Sequence, residues 1–171
     1  MCSSDLKNTV NTTESTSAPR ATGGCLCGAV RYALRGELRG VYNCHCGQCR
    51  RSHGHLGVYT SVTHDQITFS ETGGLKWYQS SAIARRGFCG ECGSSLFWEP
   101  ADKDHLAIAA GSIDQPSGLI TLGHIFTADR GDYYTIDDGL ECWPGTMSKD
   151  TLSKDTMPKD TLSENAKSDD N

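Results

Sequence analysis

Seven cysteines in three short motifs carry the chemistry of this chain: "CLCG" from Cys25, "CHCGQC" from Cys44 and "CGEC" from Cys89. Thiolates at CxC and CxxC spacing are ligands for a borderline-soft cation such as zinc, which takes four of them in a tetrahedron. Cys89 and Cys92 form a CxxC half-site, with Gly87, Gly90 and Gly93 around it to make a tight turn. Cys25 and Cys27 form a CxC flanked by Gly23, Gly24 and Gly28. Two plus two closes a four-thiolate site, and the expected role of such a site is to hold the fold. A redox dithiol is the competing reading of CxxC, but it needs a βαβ setting that this segment lacks.

Cys44, Cys46 and Cys49 place three further thiols within six positions, one ligand short of a closed site. One reading is a second structural zinc completed by His45, His53, His55, a distant histidine or Cys142. The other is an open zinc with three protein ligands, the usual construction of a catalytic site. Three thiolates leave the metal with net charge near −1, so it is a poor generator of hydroxide and better suited to a further thiolate. Arg50 and Arg51 follow Cys49, and Arg85 and Arg86 precede Cys89. Guanidinium groups clamp carboxylates, and Arg50 and Arg51 are candidate contacts for a small acidic thiol such as glutathione.

The elements that must position these thiols read as strands. "AVRYAL", "GVYTSV", "QITFS", "KWYQS", "SSLFW", "HLAIAA" and "GHIF" are short β-branched or aromatic runs bounded by Gly, Asp, Ser or Pro. Only "CGQCRRSHG" suggests a helical turn. The expected organisation is one all-β domain over 21–145, whose modest core metal cross-links would reinforce. Residues 1–20 are Ser/Thr-rich and 146–171 carry the repeats "SKDTL", "SKDTM" and "PKDTL". Neither stretch has a period that builds an apolar face, so both are expected to be disordered.

The chain has 171 residues, nine cysteines and formal net charge −5, which argues against a broad electrostatic grip on nucleic acid. No apolar run approaches the roughly 18 residues that span a bilayer, and the N-terminus has no apolar signal region. A cytoplasmic protein with reduced, metal-binding cysteines is the expectation. Cys2 and Cys142 carry no assigned role.

"GGCLCGAVRY", "CHCGQCRRSHG", "RRGFCGECGSSLFW", "AAGSIDQP", "GHIF" and "DYYTIDDGL" occur in that order. This series, from Gly23 to Leu140, resembles the glutathione-dependent formaldehyde-activating enzyme family, which includes centromere protein V-like domains. The resemblance implies a β-tent, two packed antiparallel sheets stabilised by zinc. It implies two zincs per chain: a structural one on Cys25, Cys27, Cys89 and Cys92, and a catalytic one on Cys44, Cys46 and Cys49. It further implies a carbon–sulfur lyase joining glutathione, or a related thiol, to an aldehyde-like carbon. The implied partners are thus a small thiol and an electrophile, with no nucleic acid, no membrane and a possible homo-oligomer. The alternatives are a zinc enzyme of the same family acting on a larger organic substrate, and a non-catalytic glutathione- or protein-binding module. His124 in "GHIF" occupies a recurrent family position whose expected role is structural.

Overall fold

The computed structural model describes residues 18–147. The chain forms β1 (Ala21–Gly24), β2 (Arg31–Leu34), β3 (Val41–Cys44), α1 (Gly47–His53), β4 (Gly57–Val62) and β5 (Ile67–Glu71). There follow β6 (Leu75–Ser81), β7 (Ala84–Cys89), β8 (Ser95–Pro100), β9 (Leu106–Ala109), β10 (Thr121–Ile125) and β11 (Glu141–Cys142). They make two sheets, one ordered β1-β2-β5 and the other β11-β10-β3-β4-β9-β8-β7-β6. The mostly-β, two-sheet expectation holds, with one refinement at the sheet edge. β10 runs parallel to both β3 and β11, because the chain reaches β10 by a long connection rather than a hairpin.

Alternation along the strands explains where the core lies. On β2, Tyr32 and Leu34 are buried and their neighbours are half-buried. Tyr32 packs on Phe97 of β8 at 5.4 Å between ring centroids, and Phe69 and Trp77 pack on Phe97 at 5.7 and 6.1 Å. This aromatic cluster joins the small sheet to the large one. On β8, Leu96 and Phe97 are both buried, although strict alternation would expose one of them. The register shift opposite Gly87 and Phe88 accounts for this, since a bulge breaks the period.

β9 divides the interior. Leu106 and Ile108 face the aromatic cluster between the sheets, while Ala107 and Ala109 face a second cluster with Cys44, Cys49 and Tyr59. Large residues on one side fill the core, and alanines on the other leave room for thiols.

The disorder expected for 1–20 and 146–171 falls mainly outside the described residues. At the margins, the Arg20 amide donates to the Leu34 carbonyl at 2.8 Å, and Met147 is buried. Among the described residues, no helix is long and apolar enough to cross a membrane.

Candidate metal centres and the site beside them

The thiols of Cys25, Cys27, Cys89 and Cys92 all lie within 4.8 Å of one another. Cys25 and Cys27 follow β1, Cys89 ends β7, and Cys92 lies in the turn beyond it. The cluster therefore ties the three-stranded sheet to the eight-stranded one. Sulfur–sulfur separations of 3.6 Å for Cys25–Cys27 and 3.7 Å for Cys27–Cys89 match a zinc tetrahedron, whose edge is about 3.8 Å for 2.3 Å bonds. The Val30 amide donates to the Cys25 sulfur at 3.2 Å, and the Ser94 hydroxyl lies 3.2 Å from the Cys92 sulfur. The Ser94 contact holds the Cys92 thiol down at about 5.

Cys44, Cys46 and Cys49 form the second group, again with all sulfurs within 4.8 Å. Cys44 ends β3, Cys46 is the N-cap of α1, and Cys49 lies in its first turn. The Cys49 amide donates to the Cys46 sulfur at 3.4 Å, the capping bond that starts this helix. α1 ends at Gly54, where φ is 81°, so the helical turn expected from sequence extends over seven residues. Gly57 permits the approach of β4: a Cβ there would lie 2.7 Å from the Tyr59 ring and 3.2 Å from the Cys49 sulfur.

Hydrogen bonds among these three thiols push Cys44 up and Cys46 down. Cys49 is also raised: its bond to Cys44 lowers it, but Cys46 and burial outweigh that bond. Three thiols this crowded cannot all ionise alone, and a soft divalent cation relieves that conflict. The donor chemistry of both groups therefore fits zinc.

Among the described residues, no histidine, carboxylate or further cysteine joins the second group as a fourth ligand. His45, between two of the thiols, is fully buried and committed elsewhere. Its Nε2 lies 2.9 Å from His124 Nδ1, and its Nδ1 lies 2.5 Å from the Tyr134 hydroxyl. His124 Nε2 is 2.8 Å from Asp138. Ionised Asp138 only accepts, which fixes the order: His124 donates to Asp138, His45 to His124, and Tyr134 to His45. Burial, then the neighbouring His124, lowers the pKa of His45. His55 is exposed against Tyr133 and Tyr134, and Cys142 is exposed on β11.

The cation on the second thiol group is Arg86 of β7. Its Nη2 donates to the Cys49 sulfur at 3.7 Å and to Gln48 at 3.4 Å, and its Nη1 donates to the Tyr59 hydroxyl at 3.2 Å. Burial alone would lower Arg86, but its interactions with Cys49 and Tyr59 outweigh burial and keep the guanidinium protonated. The Tyr59 hydroxyl, accepting from Arg86, turns its own proton to His53 Nε2 at 2.5 Å. Burial raises the Tyr59 phenol and, with Arg86, lowers His53, so this pair is neutral at pH 7.

Arg51 is exposed on α1. Arg50 is half-buried near Tyr134, and its Nε is buried without a hydrogen-bond partner among the described residues. Arg85 instead pairs with Glu99 and lies over the Trp77 ring. The sequence named Arg86 only as one of four arginines and gave no sign of Tyr59, which looks like any strand tyrosine. β7 and β4 bring them to Cys49 from 37 and 10 positions away, a placement that strand pairing alone decides.

Two sheets joined by a four-thiol clamp, with a separate three-thiol centre under an arginine, define a small β protein built around metal-binding cysteines. Residues 20–129 match the family described as glutathione-dependent formaldehyde-activating enzyme, and the chain belongs to that family. No curated protein matches it. A solved crystal structure of a Rhodobacter sphaeroides protein is similar at 19% identity and TM-score 0.47, covering 71% of this chain and 98% of that one.

Proposed function

We propose that this chain is a zinc enzyme that makes or breaks a carbon–sulfur bond between a small thiol and an aldehyde-like carbon. Cys25, Cys27, Cys89 and Cys92 hold a structural zinc, and Cys44, Cys46 and Cys49 hold a second, catalytic one. The observation that carries this reading is the contrast between the two groups: among the described residues, four thiols converge at one, and three with no fourth His, Cys, Asp or Glu ligand at the other. A zinc held by Cys44, Cys46 and Cys49 would supply a soft Lewis acid that stabilises a further thiolate at neutral pH.

The chain's own residues do the rest. Arg86 presents a fixed positive charge beside Cys49, where it balances the negative centre and attracts an oxygen that gains charge. His53, linked to Arg86 through the Tyr59 hydroxyl, would carry the proton exchanged with that oxygen. His45 orients the loop between Cys44 and Cys46 through its bonds to His124 and Tyr134. Family membership favours glutathione as the thiol, and Arg50 and Arg51 at the same helix are proposed to meet its carboxylates.

The test is Cys46→Ser. The variant should fold with one zinc fewer per chain and lose thiol–aldehyde condensation; full turnover with unchanged zinc content would overturn the assignment.

A further inference from the structure

Beside the three-thiol centre, a pocket of about 320 Å³ is lined by His53, Tyr59, Tyr78, Arg86, Phe88 and Phe97, among others. We infer that this pocket takes the hydrocarbon part of an aromatic or similarly bulky aldehyde, so that the electrophile is a larger organic carbonyl compound rather than formaldehyde. The inference rests on the carbon–sulfur chemistry proposed above and names its second substrate.

Size is the first argument. Formaldehyde has two non-hydrogen atoms and needs little more than a water's share of about 30 Å³. A pocket near 320 Å³ lies in the range that holds organic ligands. Polarity is the second. Tyr78, Phe88 and Phe97 supply apolar lining, while the polar groups, Arg86 with the linked His53–Tyr59 pair, are the part that reaches Cys49. That asymmetry orients a carbonyl compound with oxygen toward the guanidinium and hydrocarbon toward the rings.

Exposure is the third. Tyr78, on the edge strand β6, is 62% exposed while lining this pocket. Its ring offers a large, uncovered apolar face to the hydrocarbon part of a ligand. Gly87 forms part of the wall without a side chain, and a Cβ there would lie 2.8 Å from the Phe97 ring. The pocket continues, through Ser52, His53, Gly93 and Ser95, into a wider groove of about 650 Å³ that also contains Arg31, Asp114 and Ser112. The more polar groove suits the thiol's peptide-like part and leaves the aromatic pocket for the electrophile.

In the step itself, a sulfur electron pair forms the bond to the carbonyl carbon. The C=O π pair moves to oxygen, and that oxygen takes up one proton, equivalent to the one the thiol gave up. The product is a hemithioacetal, no oxidant or reductant is consumed, and the reverse reaction is the lyase direction.

The test uses the full, zinc-loaded chain and two probes. The first is binding of 2-phenylethanol, a non-reacting aromatic alcohol, by calorimetry against methanol as control. The second is the ratio of kcat/KM for phenylacetaldehyde to that for formaldehyde, with glutathione as thiol. Wild type should bind 2-phenylethanol and prefer phenylacetaldehyde. Tyr78→Ala should weaken the alcohol and reduce the ratio, each about tenfold, and Tyr78→Phe should restore both. No binding beyond methanol, or binding indifferent to Tyr78→Ala, overturns the pocket assignment even if formaldehyde turns over. Binding that depends on Tyr78 without turnover of either aldehyde sustains the pocket and removes the proposed chemistry instead.

Discussion

Replacing Tyr59 with phenylalanine removes one oxygen atom and two hydrogen bonds from the centre of the candidate site. The hydroxyl donates to His53 Nε2 at 2.5 Å and accepts from Arg86 Nη1 at 3.2 Å, and both its neighbours are at least half shielded from water. A neutral bond of this kind contributes about 1 kcal/mol net, and one to a charged group about 1.5–3 kcal/mol. Arg86 keeps Gln48 and the Cys49 sulfur as acceptors, so the lower end applies to its share. The expected loss is therefore about 2.5 kcal/mol, or roughly 10 °C in Tm for a domain of this size. Urea titration at fixed zinc concentration reads it as a lower midpoint with an unchanged slope. Removing the partner that orients His53 should also lower kcat/KM about a hundredfold, the low end of general acid–base contributions. A double-mutant cycle with His53→Phe should return a coupling near 1 kcal/mol. A loss under about 0.5 kcal/mol with no coupling would refute the Arg86–Tyr59–His53 linkage as drawn.

Cys92→Ser should abolish cooperative unfolding, because structural zinc in small domains supplies free energy comparable to the whole stability of a fold; a sharp thermal transition in that variant would contradict the clamp. His64 lies between Asp104 and Glu99 at 2.7 Å each, and those bonds raise its pKa. Its stabilising contribution is thus fully present below the unfolded value of about 6.5 and is lost as pH rises through the higher folded value. His64→Gln should therefore lower Tm at pH 6 and have a shrinking effect toward pH 9, measured by thermal scans across that range.

Several features of the fold and site were legible because they depend on local chemistry. The CxC and CxxC spacings hold within a turn whatever surrounds them, so Cys25–Cys27 and Cys89–Cys92 were each legible as half-sites, and counting ligands to four together with the family resemblance joined them. The grouping of Cys44, Cys46 and Cys49 was equally local, and its short helix follows from Cys46 capping its own turn. Strand periodicity gave the β character of the domain. Long-range pairing was not legible. That β10 lies parallel to β3 depends on a connection, and this places His124 against His45 from 79 positions away. Which arginine touches the thiols was not legible for the same reason. Arg50 and Arg51 are adjacent to Cys49 in sequence, yet one guanidinium sits near Tyr134 and the other is exposed, while cross-strand register delivers Arg86.

The most direct measurement is zinc-edge X-ray absorption on the full chain carrying two zincs, before and after glutathione is added. A closed site of four thiolates and an open site of three give an average of about 3.5 sulfur neighbours per zinc, rising to about 4 when the thiol binds. An average of 4 without any added thiol, or one that glutathione leaves unchanged, would contradict the open three-cysteine centre.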